Sequence, residues 1–260
     1  MIQVCKDIRK EILRISKLSG HGHIPTCFSV VEILYSFYKT MPNDPRNPNW
    51  KDRDVFILSK GHASLAHYVI LAEFGYFSLK EVETFGSYNS NFGGHADRLK
   101  IPGIEASTGS LGHGIGLAVG IALANKILKI TNKVYVLIGD GESNEGSVWE
   151  AIMVAVNLNL NNLTIIYDNN MSHSRGLQIP NPAERFRSFG CETTELNGHD
   201  VEILSSELSR KHDKVKSIVA HTKKGYGCRT LVENMYAWHR RSPSDLEYAQ
   251  LIGELDETTV

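Results

Sequence analysis

No apolar stretch in this sequence approaches the roughly 20 residues that a membrane-spanning helix needs. No excess of one charge is present either. The 28 Lys and Arg stand against 29 Asp and Glu, a formal net charge of −1, which excludes nucleic-acid binding driven by bulk charge. Cysteines are few, and none of Cys5, Cys27, Cys191 and Cys228 lies at the C-x-x-C spacing of a zinc or redox motif, so reduced thiols in a cytoplasmic chain are expected. The opening MIQVCKDIRKEILRISKLSG is broken by Lys6, Asp7, Arg9, Lys10, Glu11 and Arg14, and reads as an amphipathic helix rather than a secretory signal. Internal repeats, low-complexity tracts and clear linkers are lacking, so residues 1–260 are expected to form a single domain. No G-x-G-x-x-G opens a helix directly after a first strand, which sets aside an ordinary dinucleotide-binding fold. What remains is average for a soluble globular chain, with one oddity: eleven histidines.

The patterning that is present alternates. Ile8, Ile12 and Ile15 recur at helical spacing, and FSVVEILYSFY (28–38) repeats that pattern. DVFILS (54–59), VYVLIG (134–139), LTIIYD (163–168) and SIVAH (217–221) are short apolar, β-branched runs of the kind that make buried strands. Helical segments lie between them, which predicts parallel pairing and a layered α/β fold. Glycine is clustered: eight of the 22 fall in residues 93–120. STGSLGHGIGLAVGIALANKIL runs from this glycine loop into an almost wholly apolar helix, expected to be buried. Free amides at such a helix start favour an anion, although close packing through Gly114, Gly116 and Gly120 explains the same pattern.

The strand VYVLIG ends in Gly139-Asp140-Gly141, and Asn169-Asn170 follows the next strand. In a parallel sheet both strand ends fall on one edge, where open α/β folds bind ligands. Asp140 and Asn170 can therefore approach one another, and together they offer hard oxygen ligands suited to Mg²⁺ or Ca²⁺ holding a diphosphate. The flanking glycines leave room for phosphate oxygens.

GDG at one strand end with Asn at the next resembles the thiamine diphosphate motif. GDGESNEGSVWEA, joined with SKGHA, GGHAD and EASTGSLGHGIG, is similar to the N-terminal half of transketolases, most closely the N-terminal subunit of split transketolases, from about Ile8 to Pro243. The resemblance implies a three-layer thiamine-diphosphate-binding α/β fold with a mainly parallel central sheet flanked by helices. It implies Asp140, Asn170 and the main-chain carbonyl of Ser172 as metal ligands, the Ser172 side chain being free to vary, with two diphosphate oxygens and a water completing an octahedron around Mg²⁺ or Ca²⁺. Gly109, Ser110, Leu111, Gly112, Gly139, Gly141 and Glu142 are then expected along the cofactor, together with Asp140, Asn170, His62 and His239. His23, His62, His95 and His239 fall in family motifs and are expected as catalytic residues lining the channel, where imidazole can donate to a developing oxyanion and move its proton. Glu145 matches an acidic residue of a carboxylate network between cofactor sites, and His113 is placed either against phosphate or in packing. His21, His67, His173, His199, His212 and His221 are given no functional role.

The sequence departs from the family at Ile24-Pro25-Thr26, where Pro-Gly-Gly is usual, and along MSHSRGLQIPNPAERF after the metal asparagine. In transketolases the carboxylate beside the aminopyrimidine, the aromatic pocket and the arginines that grip a sugar phosphate belong to a second domain, which residues 1–260 do not contain. The resemblance therefore implies a separate C-terminal transketolase-type subunit, with pyrimidine-binding and C-terminal domains, in a homodimer of heterodimers. The implied reaction moves a two-carbon ketol unit from a ketose, phosphorylated in the family, to an aldehyde. A 2-oxoacid dehydrogenase or deoxyxylulose-phosphate-synthase-like subunit shares the GDG-to-Asn motif, but NEG, SKGHA and the WH dipeptide favour transketolase. A catalytically silent scaffold of the same fold is disfavoured by the intact Asp140, Asn170 and four histidines.

Overall fold

The computed structural model describes residues 1–258. Five strands form its sheet: β1 (Val55–Leu58), β2 (Val134–Gly139), β3 (Leu163–Asn169), β4 (Glu192–Asn197) and β5 (Lys216–His221). Their order is β1-β2-β3-β5-β4, and every neighbouring pair is parallel. The helices are α1 (Gln3–Ser19), α2 (Ile24–Ser29), α3 (Val31–Thr40), α4 (Ser64–Glu73), α5 (Leu79–Val82), α6 (Gly114–Leu128), α7 (Gly146–Asn157), α8 (Pro182–Ser188), α9 (Val201–Ser209), α10 (Arg229–Glu233) and α11 (Asp245–Glu257).

The strands are buried on both faces because side chains alternate across the pleat. Phe56, Leu58, Tyr135, Leu137, Ile166 and Ile218 meet the core built with α1, α3, α4, α9 and α11. Val134, Val136, Ile138, Ile165, Tyr167 and Val219 meet the opposite core built with α6, α7 and α8. The result is the three-layer α/β architecture expected from the sequence. The four expected strands are all present. β4 is the one that no apolar run announces, since ETTELN lies at the edge of the sheet with most of its side chains partly exposed, and an edge strand needs no continuous apolar face.

Two further differences concern helices. α6 is not buried as its apolar sequence suggests: Ile115, Ala118, Val119 and Ala122 enter the core, while Leu117, Ile127 and Leu128 are 48%, 69% and 67% exposed. The divergent stretch after Asn170 is a turn-rich loop that ends in α8.

A buried ion pair fixes the parts of the fold that carry the site. Arg9 on α1 donates to both oxygens of Glu32 on α3 at 2.6 and 2.7 Å, and to the Phe28 carbonyl at 2.7 Å. The Lys223 N–H donates to His199 Nε2 at 2.8 Å, so His199 carries its proton on Nδ1 and donates it to Glu32 at 2.9 Å. Burial raises the pKa of the Glu32 carboxyl, but Arg9 with His199 outweighs it and brings it down to about 2. His199 thus works as a structural link from α3 to the loop after β5. Gly20, at φ 67°, ends α1 in the left-handed conformation and turns the chain toward His21 and His23.

Candidate active site

The carboxyl ends of β1, β2, β3 and β5 converge on one edge, and there the chain leaves each strand carrying a polar residue: Lys60, Asp140, Asn170 and Thr222. Asp168, the sixth residue of β3, ties these ends together from beneath. Its carboxylate accepts from Ser29 Oγ at 2.8 Å, from Asn170 Nδ2 at 2.8 Å, and from Lys60 Nζ and Thr222 Oγ1. Burial opposes ionisation of Asp168, but the Lys60 ammonium overcomes it and holds the carboxyl below its ordinary value. A cleft of about 230 Å³ opens above, lined by Thr26, Lys60, His62, Leu111, Gly139, Asp140, Gly141, Glu142, Ser172, Lys224 and His239.

Asp140, Ser172 and Asn170 lie in a connected chain of contacts. Asp140 Oδ1 accepts from the Gly141 N–H at 2.7 Å and from the Ser172 hydroxyl at 2.6 Å, and the Ser172 N–H donates to Asn170 Oδ1 at 3.0 Å. The expectation that the Ser172 side chain is idle is corrected by that hydroxyl contact. Asp140 Oδ2 is buried and accepts no hydrogen bond; His173 Nδ1 lies 2.7 Å away without the alignment of one. A Cβ added at Gly139 or Gly141 would meet nothing closer than 3.7 and 3.5 Å, so packing does not demand glycine there and the space opens on the cleft. A buried carboxylate oxygen without a partner suits a cation, and the Lys224 ammonium group in the same cleft, Lys60 being paired with Asp168, suits an anion. The residues present therefore fit a divalent metal and a diphosphate.

Three of the four motif histidines gather at the mouth. The rings of His23 and His62 are 5.4 Å apart, His23 and His239 5.3 Å, and His62 and His239 6.2 Å. His95 stands outside this group, exposed at the rim, where a Cβ on Gly109 would come within 2.9 Å of its ring. It shares a neighbouring depression with Gly109, Ser110 and His113, while Leu111 of the same loop lines the cleft and the Gly112 N–H reaches Glu142. His23 is pushed down to about 4 by burial and by His239 beside it, and burial with Lys60 holds His62 well below its ordinary value. Burial lowers His95 and His239 as well, with Arg240 next for the first and Lys224 for the second. These imidazoles are neutral at pH 7, each able to offer one donor and one acceptor nitrogen.

Glu142 lines the cleft with its carboxylate already engaged. It accepts from the Gly112 N–H at 2.9 Å, the Gly139 N–H at 3.1 Å and the Ser59 hydroxyl. The anion seated on this amide of the glycine loop is thus the chain's own carboxylate, which joins that loop to the GDG turn. Glu145 is exposed at the start of α7. His113 precedes α6, exposed, with Nδ1 3.0 Å from the Leu111 carbonyl. Ile24-Pro25-Thr26 opens α2, with Pro25 in the first turn and Thr26 Oγ1 3.4 Å from His62 Nε2.

Sequence reasoning missed Lys60, Lys224, Thr26 and Asp168. Lys60 stands inside the SKGHA string and Asp168 ends an apolar run, and both are signals of a strand's carboxyl end. Lys224 carries no such mark; only the parallel placement of β5 beside β3 brings it to the cleft.

An open parallel α/β sheet with a cleft at its carboxyl edge defines the class of α/β proteins that bind their ligand there. Residues 3–244 match the family described as "Transketolase, thiamine diphosphate binding domain", and the chain belongs to the transketolase family as its N-terminal, thiamine diphosphate binding part. It is 36% identical to an apulose-4-phosphate transketolase subunit of Actinobacillus succinogenes, over 97% of this chain and 94% of the relative. It is also 36% identical to the 6-deoxy-6-sulfo-D-fructose transketolase subunit SqwG of Clostridium sp., over 96% and 94%. The crystal structure of transketolase from Campylobacter jejuni superposes with a TM-score of 0.90 at 29% identity, covering 98% of this chain and 43% of that one. The chain thus spans nearly the full length of these subunit relatives and less than half of the full-length enzyme.

Proposed function

We propose that this chain holds thiamine diphosphate through Mg²⁺ or Ca²⁺ in the cleft and, with a separate C-terminal transketolase-type subunit, transfers a two-carbon ketol unit from a phosphorylated or otherwise anionic ketose to an aldehyde. The single observation that carries the reading is the buried, unpartnered Oδ2 of Asp140, a residue that lines the cleft together with Lys224. Asp140, Asn170 and the Ser172 carbonyl hold the metal, Lys224 serves the diphosphate, and Leu111 closes the side of the cleft. When bound, thiamine diphosphate supplies the nucleophilic carbon and electron sink that ketol transfer needs.

The chain's residues bind, orient and move protons. His23, His62 and His239, neutral near pH 7, hydrogen-bond a sugar's hydroxyls and carbonyl oxygen at the mouth and hold or return its proton, while His95 does so from the rim. Two relatives carry names with anionic sugar derivatives, a phosphate and a sulfo sugar, which supports an anionic donor here. Relatives named as subunits support a partner subunit, and the exposed apolar face of α6 and α7 supports a covering chain, in a homodimer of heterodimers. No helix among the described residues is long and apolar enough to cross a membrane, and four unpaired cysteines accord with a cytoplasmic location.

The test is calorimetry on the chain reconstituted with its partner. Asp140→Ala and Asn170→Ala are expected to abolish metal-dependent thiamine diphosphate binding, and unchanged affinity in either would overturn the metal assignment. The chain alone is expected to show no ketol transfer; efficient turnover without a partner would overturn the split site.

A further inference from the structure

Asp140 divides its two oxygens between different surroundings. Oδ1 is saturated by the Gly141 N–H and the Ser172 hydroxyl. Oδ2 accepts no hydrogen bond, although its nearest polar neighbour, His173 Nδ1, is only 2.7 Å away. That nitrogen is itself buried and without a hydrogen-bond partner, the two side chains being 5% and 1% exposed. Two buried polar atoms in contact but unjoined are costly unless a third group satisfies both. The contact distance is that of neighbouring ligands on one ion: with metal–ligand bonds of about 2.1 Å, a 2.7 Å separation subtends roughly 80° at the metal.

We propose that His173 Nδ1 is a fourth protein donor to the metal, beside Asp140 Oδ2, Asn170 Oδ1 and the Ser172 carbonyl. It takes the position that a water fills in the all-oxygen octahedron. The inference rests on the assignment of Asp140 and Asn170 to the metal and adds the nitrogen. An imidazole donor raises affinity for first-row transition ions relative to Mg²⁺ and Ca²⁺, which prefer oxygen. The site therefore binds ions such as Mn²⁺ or Co²⁺ more tightly than an all-oxygen site would, while still accepting Mg²⁺.

Mn²⁺ is the probe. The chain, reconstituted with its partner subunit, is saturated with thiamine diphosphate and Mn²⁺, once at natural abundance and once with ¹⁵N-histidine in this chain, and its electron spin-echo modulation is recorded. A ¹⁴N modulation that converts to ¹⁵N on labelling is expected, and it is expected to vanish in His173→Ser while Mn²⁺ stays bound. In competition titrations His173→Ser is expected to lower the preference for Mn²⁺ over Mg²⁺ at least tenfold. Bound Mn²⁺ that depends on Asp140 but shows no histidine nitrogen, or a coupling that survives in His173→Ser, overturns this inference and leaves the parent assignment standing. Absence of cofactor-dependent Mn²⁺ binding, or binding indifferent to Asp140→Ala, overturns both. The labelled wild-type spectrum decides the nitrogen even where the variant does not fold.

Discussion

Lys224 reaches the cleft from the loop after β5, with Nζ 3.2 Å from His239 Nδ1. Burial, and after it the charge of Lys60, pull its pKa down to about 8. An ammonium group held in this way gains from a nearby anion, so Lys224→Met is expected to weaken thiamine diphosphate binding by roughly 10- to 100-fold, about 1.4–2.7 kcal/mol, by calorimetry. The wild type carries a matching pH signature. The charged form prevails below pH 8, so affinity is expected to fall as pH rises above that value, by up to about tenfold per unit, with Lys224→Met showing a flat profile there. Glu142 makes the contrasting case of a cleft residue whose charge faces the protein. Glu142→Gln places an amide N–H₂ against a backbone N–H or the Ser59 hydroxyl, leaving a buried donor unmet at a cost of about 2 kcal/mol. Thermal denaturation is expected to show a loss of roughly 4–8 °C for a chain of this size.

At the scale of elements, the strands that feed the site were legible because a doubly covered parallel strand must be an apolar run, and their order along the chain placed Asp140 and Asn170 on one edge. β4 was illegible for the converse reason: Glu192, Thr193, Thr194 and Glu195 can stay partly exposed at an edge. The α6 sequence misled in a third way, since apolar content reports the wish to be covered without saying by what. Histidines were legible as motif members, and their protonation was not. His67 on α4 shares a 2.7 Å hydrogen bond with the Tyr38 hydroxyl, and full burial drives it down to about 3. His23, at about 4, behaves alike. The unfolded chain takes up protons on these imidazoles near pH 6.5 while the folded chain refuses them, so their contribution is intact above 6.5 and stability falls as pH drops from there toward 4. Urea unfolding is expected to show a slope of up to about 1.4 kcal/mol per pH unit for each such histidine, shallower in His67→Gln.

For the whole molecule, Leu117, Ile127 and Leu128 of α6 and Met153 and Val154 of α7 lie exposed on two neighbouring helices of the layer opposite α1. An apolar surface of this kind fits the covering chain proposed above. Leu117→Glu is expected to abolish association with the partner subunit or with a second copy, read by sedimentation velocity, while far-ultraviolet circular dichroism stays unchanged because the side chain is already half exposed. The sequence by itself determined the layered α/β class, the strand ends bearing Asp140 and Asn170 and the family motifs, because periodicity and strand-terminal residues are local properties. Only the tertiary structure decided that Lys224 and Asp168 join the site, that Glu142 turns inward, that His95 stands apart from the other three histidines, and that His173 meets Asp140. Each of those depends on which strands are neighbours and which side of a loop faces the cleft, and neither is encoded in the spacing along the chain.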